Sequence, residues 1–297
     1  MILGIDVYEG YGKIDWARVA ASGVRFAFIK STEGNEGKDR RFDENVAGAK
    51  AVGIYVGAYL YAFPLPDDPK HPGRSPIEQA RRFWFESSGL GTRPGELPPV
   101  LDFEWPVHFE RVKGTSQIID KWAEWKVSPA SMVAWAEECV EEIERLWGRT
   151  PLLYTFPDFA RSLGGHLRDS SLGRCPLWMA HYTHPTAWMP PDDARPIVPA
   201  PWSDWTFWQF SADGSSIRVP GVPACPLDRN VFRGDLDGLR RLANINPDAE
   251  TVRELPSVVE ADDEPEGTVI HRLEDFRKVY TPPPLRGQED DEPNDAA

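Results

Sequence analysis

The regular exchange of two hydrophobic periods along its first two-thirds most constrains how this chain can fold. Short apolar runs that end in a polar residue alternate with stretches whose apolar residues recur at helical spacing. Residues 2–5 run into Asp6, and Asp15 stands where a helix N-cap belongs, ahead of 16–21. Residues 24–30 and 54–61 are the next apolar runs, separated by a helical stretch over 40–52 with Phe42, Val46, Ala49 and Val52 on one face. Ser75-Pro76-Ile77-Glu78 joins a capping box to a proline at the first helical position, which predicts a helix over 76–88. Strand 97–105 follows, then a helix that starts at Ser128-Pro129, buries Met132, Ala136, Cys139, Ile143 and Leu146, and stops at Gly148. Strand 151–155 leads to a weaker helix over 157–163. The rhythm then changes: 177–182, 206–210 and 227–232 read as strands with no helix of normal length between them, before a final helix at 235–243. The glycine fingerprint of a dinucleotide-binding turn is missing from the first strand–helix junctions. The pattern predicts an α/β fold, a (β/α) barrel rather than an open sheet, with late strands that depart from the alternation. Residues 106–127 have no clear period and read as a long loop with a short helix near Trp122.

Composition then limits what such a barrel does. With 297 residues, 41% hydrophobic content and 14 Phe, 12 Trp and 8 Tyr, the chain has ample core material. No apolar run approaches bilayer-spanning length, so membrane insertion is not expected. The segment Met1-Ile2-Leu3-Gly4-Ile5-Asp6 reads as a first strand and not as a Sec signal peptide. The expectation is synthesis in the cytoplasm, with any extracellular action following lysis or a dedicated export route. Cys139, Cys175 and Cys225 are odd in number and widely spaced, which suits buried thiols better than disulfides or zinc. The net charge of −14 is uneven: residues 245–297 carry 15 acidic and 5 basic side chains, whereas residues 1–244 are near neutral. Neither part has the basic face of a nucleic-acid binder. The expected organisation is a catalytic-size barrel over 1–244 and an acidic, Pro-containing tail over 245–297, largely disordered, with a short amphipathic helix near 268–280. The tail is read as a solubility segment or a dock for a protein partner, and the expected state of the whole is a monomer.

Functional groups of (β/α) barrels sit at one rim, at the C-terminal ends of the strands. Asp6, Lys30, Tyr61, Asp102, Glu104, Tyr154, Tyr182, Gln209 and Asp228 all fall at or near predicted strand ends. In Leu97-Pro98-Pro99-Val100-Leu101-Asp102-Phe103-Glu104-Trp105, the two acids are two residues apart, so strand alternation points them to the same side, two rises of about 3.3 Å apart. Acids that close disfavour joint ionisation, which raises a pKa and keeps one proton beside one charge. An isolated Asp-x-Glu is weak evidence, because structural ion pairs also gather acids. Four acids from three separate strands are not explained that way.

Several segments, in order, resemble glycoside hydrolase family 25, the bacterial and phage-type muramidases. They include Gly4-Ile5-Asp6-Val7, Phe26-Ala27-Phe28-Ile29-Lys30-Ser31-Thr32-Glu33-Gly34, Val56-Gly57-Ala58-Tyr59 and residues 97–104. Later matches are Pro151-Leu152-Leu153-Tyr154, Trp178-Met179-Ala180-His181-Tyr182, Trp208-Gln209-Phe210-Ser211 and Asp228-Arg229-Asn230-Val231-Phe232. The resemblance covers roughly residues 2–234. It implies an irregular TIM-like barrel of five βα units followed by three late strands. It also implies hydrolysis of the β-1,4 bond between N-acetylmuramic acid and N-acetylglucosamine in peptidoglycan glycan strands, with retention and without metal or organic cofactor. Glu104 matches the family's general acid, Asp102 its partner on the same strand, and Asp6 and Asp228 the other pocket acids. Either the substrate's N-acetyl carbonyl, oriented by Asp102, or Asp6 serves as nucleophile. A phage endolysin is the biological role expected, with a particle-mounted wall hydrolase, a silent carbohydrate-binding barrel and a chitin-type hydrolase as the competing readings.

Sugar sites also need aromatic faces. Tyr61, Tyr154, Tyr182 and Trp208 are the candidates at strand ends, with Gln209 beside them; Trp16, Trp84, Trp135 and Trp147 lie in helical patterns and read as packing. Lys30 and Glu33 either bind substrate or pair with each other. Two positions depart from the family: Tyr8-Glu9-Gly10-Tyr11 replaces the Ser and Gln usual after the first Asp, and Leu60 stands where His often follows Tyr59. Residues 64–74 and 106–127 are read as insertions flanking the mouth.

Overall fold

The computed structural model describes residues 1–35, 37–65, 75–105, 109–111, 118–120, 127–212, 217–224 and 227–244. The expectations for the 245–297 tail, Cys225, Trp122 and residues 66–74 lie outside these residues.

Eight strands close into a ring. In chain order they are β1 (Ile2–Val7), β2 (Phe26–Glu33), β4 (Tyr55–Tyr61), β5 (Val100–Asp102), β8 (Leu152–Thr155), β9 (Leu177–Ala180), β10 (Phe207–Ser211) and β11 (Arg229–Phe232). A short β3 (Gly37–Lys38) pairs antiparallel with the end of β2. The first five barrel strands are each followed by a helix: α1 (Trp16–Ala21), α2 (Phe42–Ala51), α3 (Pro76–Glu86), α4 (Pro129–Trp147) and α5 (Pro157–Arg168). β9, β10 and β11 follow without a long helix, and α6 (Leu236–Leu242) ends the described chain. This is the expected irregular barrel. Its irregularity has a direction: β11 runs antiparallel to both neighbours, β10 and β1, while the other ring contacts are parallel.

Local sequence explains the helix limits. Asp15, Ser75 and Ser128 each accept a hydrogen bond from a backbone N–H in the first turn, and Pro76 and Pro129 follow the two serines. Gly148 ends α4 in the left-handed region at φ 65°. Two expectations need correction. Val52 lies past the end of α2 and is exposed, because the chain turns at Gly53 before another helical residue is added. Residues 106–127 contain a two-stranded antiparallel pair, β6 (Phe109–Arg111) with β7 (Ile118–Asp120), three residues each and too short to reveal a period of two.

Strand alternation sorts the buried side chains into two groups. Ile5, Ala27, Ile29, Val56 and Ala58 face outward to the helices, where Trp16, Trp84, Trp135 and Trp147 pack as expected, with the buried thiols of Cys139 and Cys175. Phe26, Phe28, Val100, Leu152, Trp178, Phe207 and Phe232 fill the ring. Phe28 stacks on Trp178 at 4.4 Å between centroids and meets Phe207 edge-on at 5.0 Å. Rings this large fit because two strands yield volume at glycine: a Cβ on Gly4 would lie 2.3 Å from the Phe26 ring, and one on Gly57 2.7 Å from Phe28. Gly4→Ala is expected to destabilise the fold by about 2 kcal/mol through overpacking. The readout is a lower denaturant midpoint at unchanged slope; an unshifted midpoint would show that Phe26 has room to yield. This aromatic plug seals the barrel below the rim and leaves one face of the ring open.

Candidate active site

Above the plug, the upper inward side chains surround a cavity of about 360 Å³. Asp6, near the end of β1, Asp102, the last residue of β5, and Glu104, two residues further, all reach it. Asp228 reaches it by another route than the sequence suggested. It precedes β11, and because that strand is antiparallel its beginning lies at the rim where the other strands end. The Asp6 backbone N–H donates to the Asp228 carbonyl at 3.3 Å, tying the two acids' strands together at the mouth.

Asp6 is held by two amides. Its Oδ2 accepts from Gln209 Nε2 at 2.8 Å and from Asn230 Nδ2 at 2.7 Å. Each amide is oriented by its other end: Gln209 Oε1 accepts the hydroxyls of Tyr154 (2.9 Å) and Tyr182 (2.8 Å), and Asn230 Oδ1 accepts the Trp178 indole N–H (2.8 Å). Burial pushes the Asp6 carboxyl up to about 6, against the opposing pull of these donors and of Asp228.

Asp102 sits in register between Tyr61 of β4 and Tyr154 of β8. Its Oδ1 is buried and has no hydrogen-bond partner. Burial, and then the adjacent Glu104, hold its carboxyl well above the usual range. Glu104 is pushed up to about 7 by burial and by the charge of Asp6, with Lys30 pulling the other way. The expected effect of close acids is thus present, and burial is its larger cause. The Tyr61 hydroxyl donates to the Trp105 carbonyl at 3.0 Å, which fixes the backbone just past Glu104.

Lys30 is the cation of the pocket wall. It pairs with Glu33 and lies 5.0 Å from the centre of the Tyr61 ring. Glu33 stands at the half-exposed outer end of that pair and is not among the residues lining the cavity. Tyr61, Tyr154, Tyr182 and Gln209 all line the cavity as expected. Trp208 does not. It is fully buried in the outer cluster, with its indole N–H on the His181 carbonyl at 2.9 Å and edge contacts to Trp205 and Phe210. Alternation requires this: Gln209 points into the ring, so its neighbour points out.

Six lining or supporting residues escaped the sequence reading: Tyr8, Tyr11, Tyr59, Trp178, Ala212 and Asn230. Tyr59, Trp178 and Asn230 lie two residues from Tyr61, Ala180 and Asp228, so a period of two carried through each strand finds them. Tyr11 lies in a turn after β1, and its hydroxyl donates to Asp228 Oδ2 at 3.1 Å; no periodicity signals that contact. Among the described residues no group of three or more His, Cys, Asp or Glu side chains is arranged to hold a metal ion, and no helix is long and apolar enough to cross a membrane.

A closed barrel whose open rim gathers four acids among tyrosines and one lysine has the architecture of a glycoside hydrolase. The family model described as glycosyl hydrolases family 25 matches residues 5–221, and the chain belongs to that family. Lysozyme M1 of Streptomyces globisporus is 31% identical to it over 82% of this chain and 71% of that protein. The N,O-diacetylmuramidase of Chalaropsis sp. is 28% identical, over 82% and 99% of the two chains. Among solved structures, a bacterial lysozyme from Streptomyces coelicolor superposes with a TM-score of 0.65 at 31% identity, covering 82% of this chain and 97% of that one.

Proposed function

We propose that this chain is a muramidase that cleaves the β-1,4 bond between N-acetylmuramic acid and N-acetylglucosamine in peptidoglycan, with retention of configuration. The observation that carries the reading is the convergence of Asp6, Asp102, Glu104 and Asp228 in one cavity of about 360 Å³, in a chain whose family relatives include a lysozyme and an N,O-diacetylmuramidase.

Glu104 is the general acid. A carboxyl held near 7 keeps its proton at mildly acidic pH and gives it to the glycosidic oxygen as the bond breaks. Asp6 and Asp228 face the centre where positive charge develops and stabilise it. For the nucleophile, the substrate's acetamido carbonyl is favoured over Asp6. Asp6 Oδ2 is already occupied by two amide donors, whereas Asp102 Oδ1 is buried without a partner, an acceptor that an acetamido N–H would satisfy once the carboxyl turns toward the cavity. In this route the carbonyl oxygen bonds to the anomeric carbon as the leaving oxygen departs protonated. Water then attacks that carbon, giving a proton back to the Glu104 carboxylate and releasing the acetamido group.

Glycan strands lie outside the cytoplasmic membrane, so the chain meets its substrate after lysis or export; an endolysin role fits that requirement. The test is digestion of purified peptidoglycan with identification of the new reducing ends and their initial anomer. Muramic acid ends formed as the β-anomer support the reading. Glucosamine ends or peptide cleavage overturn the bond assignment, and α-anomers overturn retention.

A further inference from the structure

The turn that follows Asp6 is tied by hydrogen bonds to a distant segment of the chain. Residues Glu9–Tyr11 form a single 3₁₀ turn between β1 and α1. The Glu9 N–H donates to Asp39 Oδ2 at 2.6 Å, and the Glu9 carboxylate accepts from Arg40 Nε and Nη2 at 2.9 and 2.8 Å and from the Arg40 backbone N–H at 2.9 Å. Asp39 is itself buried and accepts the Arg41 N–H. The turn is thereby tied to the segment after β3.

That turn presents two tyrosines to the cavity in different ways. Tyr11 points inward, its hydroxyl on Asp228. Tyr8 is among the few large hydrophobic side chains left exposed among the described residues, at 43%, although it lines the same cavity. Its ring meets Tyr11 edge-on, with centroids 5.0 Å apart at 71°, and Lys30 Nζ lies 5.9 Å from its centre. Gly10 gives the ring its place: a Cβ there would lie 2.5 Å from it. An exposed aromatic face beside acids and a hydroxyl-rich wall, packed edge-on against Tyr11, is suited to stack on a pyranose.

We infer that Tyr8 is a stacking platform for a hexosamine ring of the glycan on the β1 side of the mouth, and that Tyr11, packed against it, is a positioning residue for Asp228. The inference rests on the muramidase reading and deepens it. Tyr11 acts through Asp228, so its loss is felt in the chemical step. Tyr8 touches the sugar in ground and transition states alike, so its loss is felt in binding.

The experiment is steady-state kinetics on soluble glycan chains released from peptidoglycan, with folding checked by thermal melting. Tyr8→Ala is expected to raise KM by about fivefold with kcat within about twofold, and Tyr8→Trp to restore KM. Gly10→Ala, which leaves both tyrosines in the sequence but displaces the Tyr8 ring, is expected to raise KM as Tyr8→Ala does. Tyr11→Phe keeps the edge contact and removes only the hydroxyl; it is expected to lower kcat about tenfold at a nearly constant KM. An active wild type with unchanged KM in both Tyr8→Ala and Gly10→Ala overturns the platform, and unchanged kcat in Tyr11→Phe overturns the positioning role. A wild-type chain that releases no muramic acid ends instead overturns the muramidase reading itself.

Discussion

Glu104→Gln is expected to lower turnover on peptidoglycan by about a thousandfold or more while leaving the melting temperature at or above the wild-type value. The amide matches the carboxyl in shape, so the contacts around it persist, but it has no proton to give the leaving oxygen. The pH profile adds a second signature. Glu104 is held near 7 by burial and by Asp6, so wild-type activity is expected to fall as pH rises through about 7, where the acid loses its proton. The residual activity of Glu104→Gln is expected to lack that alkaline limb. Turnover within tenfold of wild type would refute the assignment and move the proton donor elsewhere in the acid set.

The second large effect joins stability to function at Asp6. Its carboxyl titrates near 3.8 when exposed and near 6 in the folded pocket. In that interval the folded protein keeps a proton the unfolded chain has released, so folding stability falls as pH rises. The penalty is absent below about 3.8 and complete above about 6, where it amounts to about 3 kcal/mol. Asp6→Asn removes the charge, and an asparagine can still turn its oxygen toward the two amide donors. The variant is therefore expected to gain a few kcal/mol at pH 7 and nearly nothing at pH 4, while activity falls at least about a hundredfold. Denaturant melts of both proteins across that pH range provide the check. A variant equally stabilised at both ends, or destabilised at pH 7, would show that burial does not penalise the Asp6 charge.

Why some of this was legible in the chain, and some not, follows from where each signal is stored. The parallel strands and their helices carry their period locally, so Ser75, Ser128 and Gly148 mark helix ends that the fold keeps. The Asp102–Glu104 spacing likewise reports a shared side, and both line the cavity. Trp208 shows the limit of reasoning from strand ends alone: position along a strand selects the rim, but only the phase of alternation selects the face. Asp228 shows another limit. An apolar run does not state its direction, so a residue that precedes β11 reaches the rim only because the last strand is reversed. The Tyr11–Asp228 contact joins residues 217 apart through a turn and leaves no periodic trace.

The reversed final strand has a consequence for when this enzyme becomes one. Asp6 lies on the first strand of the ring, and its ligand Asn230 lies 224 residues away on the last. Among the strand pairings, joining segments that distant carries the greatest loop-closure cost, which predicts that this contact forms late in folding. Every earlier strand can pair with its neighbour while the rim still lacks Asp228 and the amide that holds Asp6. Hydrolytic competence is thus predicted to appear only when the ring closes, so a refolding time course followed by activity is expected to lag one followed by helix formation, the delay being the meeting of β1 with β11.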